Sequence, residues 1–174
     1  MKYEAFELGE KINNRRICYK LYQPLWSKYD LSALDLSIDK WTTIKFLNDS
    51  GDDFNEHITQ VPNNTGGLYM FSIKCKILTG ITDYPVYIGR AQFSEGQNLR
   101  KRVREYRNKF ARDNERPLIT KMFKYWAPDL YLSFIPLEEN ENIIDYEKKL
   151  INSLLLPFNT EIPDQEIKQA IAAF

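Results

Sequence analysis

Two apolar runs constrain this chain more than any other feature. Gly67-Leu68-Tyr69-Met70-Phe71-Ser72-Ile73 and Tyr84-Pro85-Val86-Tyr87-Ile88-Gly89 are rich in aromatic and branched residues, with the turn-forming Thr79-Gly80-Ile81-Thr82-Asp83 between them. Side chains of this kind favour a pleated, half-buried surface, so the pattern predicts a hairpin with an elongated tip. The loop Val61-Pro62-Asn63-Asn64-Thr65-Gly66 delivers the chain into its first strand.

Helix signals follow. Asn98 is placed to cap a helix from Leu99 to about Phe110, and Pro117 opens a shorter one toward Tyr125-Trp126. Asp129 to Ile135 alternates as a third strand ended by Pro136. Asn142, with Asp145 three residues on, starts a last helix through Leu155, stopped by Pro157. The order β-β-α-α-β-α predicts a small mixed α/β sandwich, an antiparallel three-stranded central sheet flanked by helices. Residues 61–174 form this domain and residues 1–60 an N-terminal extension, in which Trp41 to Leu47 reads as a strand and Asn48 to Asp53 as a loop. The extension is a candidate surface for a protein partner or a second copy of the chain.

The totals exclude several chemistries. No stretch approaches the roughly 20 apolar residues that span a bilayer, so no membrane partner is expected. Met1-Lys2-Tyr3-Glu4 lacks a secretory apolar core, and Cys18 and Cys75 are too isolated for a disulfide framework or zinc cluster. A cytoplasmic location is the expectation. With His57 the only histidine, zinc chemistry and Ser-His-Asp catalysis are excluded. Net charge is zero, but residues 90–124 hold eleven Lys/Arg against four Asp/Glu. Such a segment either attracts phosphates or pairs with the acidic C-terminal third.

Helical spacing sharpens two positions. Leu99, Val103, Tyr106 and Phe110 share a stripe, with Arg102 on its border. A border arginine can be held by packing while its guanidinium reaches a cleft. On the last helix Glu147 lies inside the stripe of Ile143, Tyr146, Leu150 and Leu154, and Lys148 and Lys149 face away. A buried carboxylate is costly unless paired, protonated or bound to a cation. A salt bridge, for instance to Arg102, or a metal ion would each satisfy it.

Over about residues 62–160 the chain resembles the GIY-YIG nuclease superfamily. Gly67-Leu68-Tyr69 stands for the first element, with Leu68 in place of Ile, and Tyr87-Ile88-Gly89 is the second letter for letter. Leu99-Arg100-Lys101-Arg102 looks like the family's Leu-x-x-Arg. Tyr106 occupies a position where members carry His or Tyr, and Arg90 a slot that often holds Lys. Glu147 matches the metal-binding glutamate, and Pro157-Phe158-Asn159 the closing motif. The interval from Tyr69 to Tyr87 is longer than usual.

The resemblance implies a metal-dependent DNA endonuclease. Tyr69, Tyr87, Arg102 and Glu147 are the implied catalytic residues, with Glu147 holding one Mg²⁺ or Mn²⁺. Gly67, Gly89, Arg90, Tyr106 and Asn159 support them. Tyr69 is favoured as the base and Tyr87 as a positioning group, although an ordinary tyrosine pKa is about 10. Arg100, Arg104, Arg107, Arg112, Lys121 and Lys124 are expected to contact phosphates. A non-catalytic nucleic-acid-binding module, or a nuclease subunit of a larger complex, is the alternative.

Overall fold

The computed structural model describes residues 4–78 and 80–173. Thr79 of the hairpin tip and Met1 to Tyr3 of the opening stretch lie outside the described residues. The chain runs α1 (Ala5–Asn14), β1 (Thr42–Lys45), β2 (Gly66–Lys74), β3 (Asp83–Ala91), α2 (Leu99–Phe110), α3 (Pro117–Trp126), β4 (Leu130–Leu137), α4 (Asn140–Leu154) and α5 (Gln165–Ala172). Single turns of 3₁₀ helix at Gln23–Ser27, Ile38–Lys40, Glu56–Gln60 and Ala127–Asp129 connect them.

The class is mixed α/β, but the sheet has four antiparallel strands rather than three, in the order β1-β4-β2-β3. The added edge strand comes from residues 42–45, whose partners are Tyr131 to Phe134 nearly ninety positions away. Nothing local in those residues reveals that pairing. At the other edge β3 absorbs a register shift against Phe71 and Ser72, where Val86 is the extra residue. Val86 and Tyr87 therefore both face the same core. Pro85 is tolerated because, among the described residues, no strand pairs with the outer side of β3.

Alternation along the strands builds two cores. Tyr69, Phe71, Tyr87 and Ala91 pack with Val103 and Tyr106 of α2 and with Ile119 and Met122 of α3. Leu68, Ile88 and Ile135 point to the opposite face and meet Ile143, Leu150 and Ile151 of α4. The first sixty residues contribute to both layers, Phe46, Leu47 and Ile58 to the first and Leu25 to the second. Helix α1 buries none of its residues and leaves Phe6 and Ile12 exposed.

Helix boundaries follow their caps. Asn98 accepts from the Lys101 amide, as its position in the sequence predicts. Helix α4 starts at Asn140, earlier than the predicted Asn142, and ends on Leu155 in left-handed conformation just before Pro157. Asn140 accepts from the Phe93 amide at 2.8 Å and donates to the Phe93 carbonyl at 2.9 Å, tying the helix start to the segment after β3. Among the described residues no helix is long and apolar enough to cross a membrane.

Candidate active site

A cleft of about 1020 Å³ opens at the β3 edge of the sheet and is lined jointly by Tyr69, Tyr87, Arg90, Arg102, Glu147 and Asn159. The topology explains the meeting. Tyr69 and Tyr87 project toward α2, whereas Ile88 packs on the α4 side, and only at a strand with no outer neighbour can both layers border one opening.

The phenols form a directed chain. Tyr106 donates to the Tyr87 hydroxyl at 3.1 Å, and its own hydroxyl lies 2.7 Å from that of Tyr69. A phenol has one proton to give, so Tyr106 must accept from Tyr69. The Arg102 cation lies near the Tyr69 hydroxyl, and Arg116 reaches the Tyr87 hydroxyl at 3.4 Å. Tyr69 is only 1% exposed. Burial, and then the neighbouring Tyr87, push its pKa well above the ordinary value, while Arg102 and the Tyr106 hydrogen bond pull back less strongly. Burial likewise raises Tyr106. Tyr69 is therefore a protonated phenol at neutral pH, not a standing phenolate.

Arg102 sits where its helical phase predicts. Its guanidinium lies 5.4 Å from the Tyr106 ring centroid and donates to Glu105 at 2.8 Å. Burial opposes its charge, but Tyr69, Tyr106 and Glu105 outweigh that and keep it cationic. Glu147 has a side chain 12% exposed, and its partner is Arg90 rather than Arg102. Burial raises its pKa above the ordinary carboxylate value, and Arg90 followed by Arg102 offsets part of the rise.

Backbone supports hold these groups. Asn159 accepts from the Ile88 amide at 2.9 Å and returns a bond to the Ile88 carbonyl at 2.8 Å, so a side-chain amide completes the free edge of β3. Phe158 adds a bond from its amide to the Val86 carbonyl at 2.9 Å. Gly67, at φ 151°, lies so near β4 that a Cβ would come within 2.3 Å of the Ile135 carbonyl oxygen. Gly89 is the cross-strand partner of Tyr69, whose ring lies over it.

The six predicted phosphate contacts lie elsewhere: among the described residues none of them lines this cleft. Arg100 binds the Val61 and Thr59 carbonyls at 2.6 and 2.5 Å, and Lys121 the Arg16 carbonyl at 2.9 Å. Arg107 donates to the Asp52 carbonyl and shares the Phe54 ring with Arg104. Lys124 lies over Tyr125, and Arg112 is exposed. The cleft is instead bordered by Arg116 and Lys168, which sequence reasoning does not single out, and by Lys148, which helical spacing directs away from the Glu147 stripe. Arg116 is the N-cap residue of α3, immediately before the helix-opening Pro117.

Beside the Glu147 carboxylate the lining carries the cationic guanidinium groups of Arg90 and Arg102, which are not metal donors, and no group of three His, Cys, Asp or Glu able to hold a metal occurs among the described residues. That set does not suit zinc. It fits a hard cation held by one carboxylate, with water and phosphate oxygens completing its shell. No family model, curated protein or solved structure matches the chain.

Proposed function

We propose that this chain is a metal-dependent endonuclease that hydrolyses phosphodiester bonds, acting on DNA as its resemblance to GIY-YIG nucleases implies. The observation that carries the reading is that residues as distant in the chain as Tyr69, Tyr87, Arg102 and Glu147 border one cleft.

The scissile phosphate gains negative charge as water attacks, and stabilising that charge is the main catalytic task. Arg102 offers it a planar fork of donors while Tyr106 and Glu105 hold the guanidinium in place. Glu147 would hold the Mg²⁺ or Mn²⁺ ion, which when bound stabilises the leaving oxygen. Arg90 occupies the same carboxylate, so a bound cation would replace one positive partner with another and leave the Arg90 guanidinium free for phosphate.

A buried phenol is a poor base on its own, so we assign Tyr69 a relay role. It accepts the proton of the attacking water as its own proton passes to Tyr106, that of Tyr106 to Tyr87, and that of Tyr87 to water in the cleft. The direction of the existing hydrogen bonds supports that order. The Arg116 cation at the far end, 3.4 Å from the Tyr87 hydroxyl, favours release of the Tyr87 proton.

The Arg90–Glu147 pair favours a second reading, a nucleic-acid-binding module without catalysis. A nicking assay on supercoiled DNA with Mg²⁺ or Mn²⁺ separates the two. Cutting that needs metal and is lost in E147A and R102A is the expected result. Equal background cutting by wild type and both variants defeats the enzyme reading.

A further inference from the structure

The cleft continues beyond the phenols and Glu147, past Arg116 on one side and toward Lys148 of α4 and Lys168 of α5 on the other. Its described lining carries five cationic side chains, Arg90, Arg102, Arg116, Lys148 and Lys168, against two carboxylates, Glu147 and Glu161. One of those carboxylates is already paired with Arg90. Among the described residues, neither Lys148 nor Lys168 has an ion-pair partner, whereas Lys149 is held by Asp145 at 2.6 Å. The most basic stretch of sequence has the opposite character. Its outward cations Arg100, Arg107 and Lys121 are bonded to carbonyls of the protein's own backbone, and Arg104 lies over Phe54.

We infer that a nucleic-acid strand runs along this cleft, from Arg116 across the Arg102–Glu147 site to Lys148 and Lys168, and not over the outer face of α2. At about 1020 Å³ the cleft stands at the upper end of small-molecule pockets, which span about 300–1,000 Å³, and among the described residues its two lysines have no ion-pair partner. Flexible, unpaired lysines suit sequence-independent phosphate contact, which positions a strand without reading its bases. The outer helix face retains a structural task, fastening residues 52–61 to the domain.

The inference rests on the proposed nuclease reading only for the class of ligand, and binding tests it separately from cutting. Fluorescence anisotropy with a labelled DNA duplex in EDTA, across a salt series, compares wild type, K148A/K168A and R112A/K124A. Each lysine lost from the path makes the slope of log K against log salt shallower by about 0.9, so the cleft double variant loses about 1.8. R112A/K124A keeps the wild-type slope. Near-equal melting temperatures show that the variants are folded. Binding and slope unchanged in K148A/K168A, or no duplex binding by wild type at low salt, overturns the inference. A protein that binds through the lysines yet never cuts upholds it and defeats the nuclease reading instead.

Discussion

The Tyr69 ring lies directly across Gly89, so that a Cβ added to the glycine would sit 2.7 Å from the phenol oxygen and 2.8 Å from the carbon bearing it. Real Cβ atoms do not approach side chains so closely. The second strand of the hairpin therefore needs glycine here because the first strand carries tyrosine opposite it. Gly89→Ala must push the ring aside or part the strands, at a cost of about 1–3 kcal/mol as overpacking in a core. The expected outcome is a folded protein with a lower melting temperature whose cleavage rate falls far more than stability predicts. A variant cutting at the wild-type rate would show that the Tyr69 position is unimportant.

Asn159 predicts a different kind of damage. Its amide supplies both a donor and an acceptor to Ile88, the residue between Tyr87 and Gly89. Asn159→Asp keeps the acceptor and sets a carboxylate oxygen against the Ile88 carbonyl. Asn159→Ala leaves both backbone groups without partners, costing about 1–3 kcal/mol for each group that stays buried. Amide exchange at Ile88 should rise by more than the global destabilisation accounts for, and more than at Phe71 in the sheet interior. Uniform exchange changes across the sheet would remove Asn159 from this role.

How much of this was legible beforehand depends on the range of each interaction. The hairpin and α2 and α3 follow from short-range signals, namely two apolar runs, the Asn98 cap and Pro117. Arg102 and Glu147 could be phased because a helix repeats every 3.6 residues, so border and stripe positions can be counted. Long-range partners leave no such mark. The pairing of β1 with β4, the choice of Arg90 over Arg102 as counter-ion to Glu147, and the carbonyl contacts of Arg100 all join segments distant in sequence. The charge excess of residues 90–124 was visible, but which of those cations line the cleft and which bond carbonyls of residues 52–61 depends on contacts between segments distant in sequence.

Glu147 makes a prediction about pH and stability together. Its pKa is raised in the fold, chiefly by burial, so between the unfolded and folded values the native chain binds more protons than the unfolded one. Stability is then lost as pH rises through that window. Without metal, Glu147→Gln should raise the melting temperature at neutral pH, with the gain shrinking to nothing in acid where the wild-type carboxyl is itself protonated. Added Mg²⁺ or Mn²⁺ should stabilise the wild type and leave E147Q unmoved. A melting temperature for E147Q below wild type at neutral pH without metal would mean that the Arg90 pair outweighs the burial penalty.

Arg90 should compete with the cation. Removing it in Arg90→Gln takes away the resident partner of the carboxylate, which raises the carboxyl pKa further while clearing the position a metal would take. At pH well above that pKa the Mg²⁺ concentration for half-maximal cutting should fall, and the acid limb of the pH–rate profile should move to higher pH. The maximal rate should drop if the freed guanidinium also contacts phosphate. Unchanged metal dependence would separate the ion pair from the cation site.

The phenol chain gives the sharpest test, because Tyr106→Phe removes one oxygen and little volume. That oxygen takes the Tyr69 proton and donates its own to Tyr87. Its loss leaves Tyr69 without an acceptor and Tyr87 with only the Arg116 donor at 3.4 Å, while Arg102 can still stack on the phenyl ring. A relay step interrupted in this way should cost cleavage about 10²-fold, the lower end of what positioned proton transfer contributes. Duplex affinity in EDTA should remain, since no phosphate-binding group has been touched. The rate should also respond differently to D₂O, because a transition state moving several protons along the chain gives a larger solvent isotope effect than one that passes a single proton to water. Y106F that cuts at the wild-type rate with the same isotope effect would confine Tyr106 to packing and return the base role to Tyr69 or to a cation-bound water.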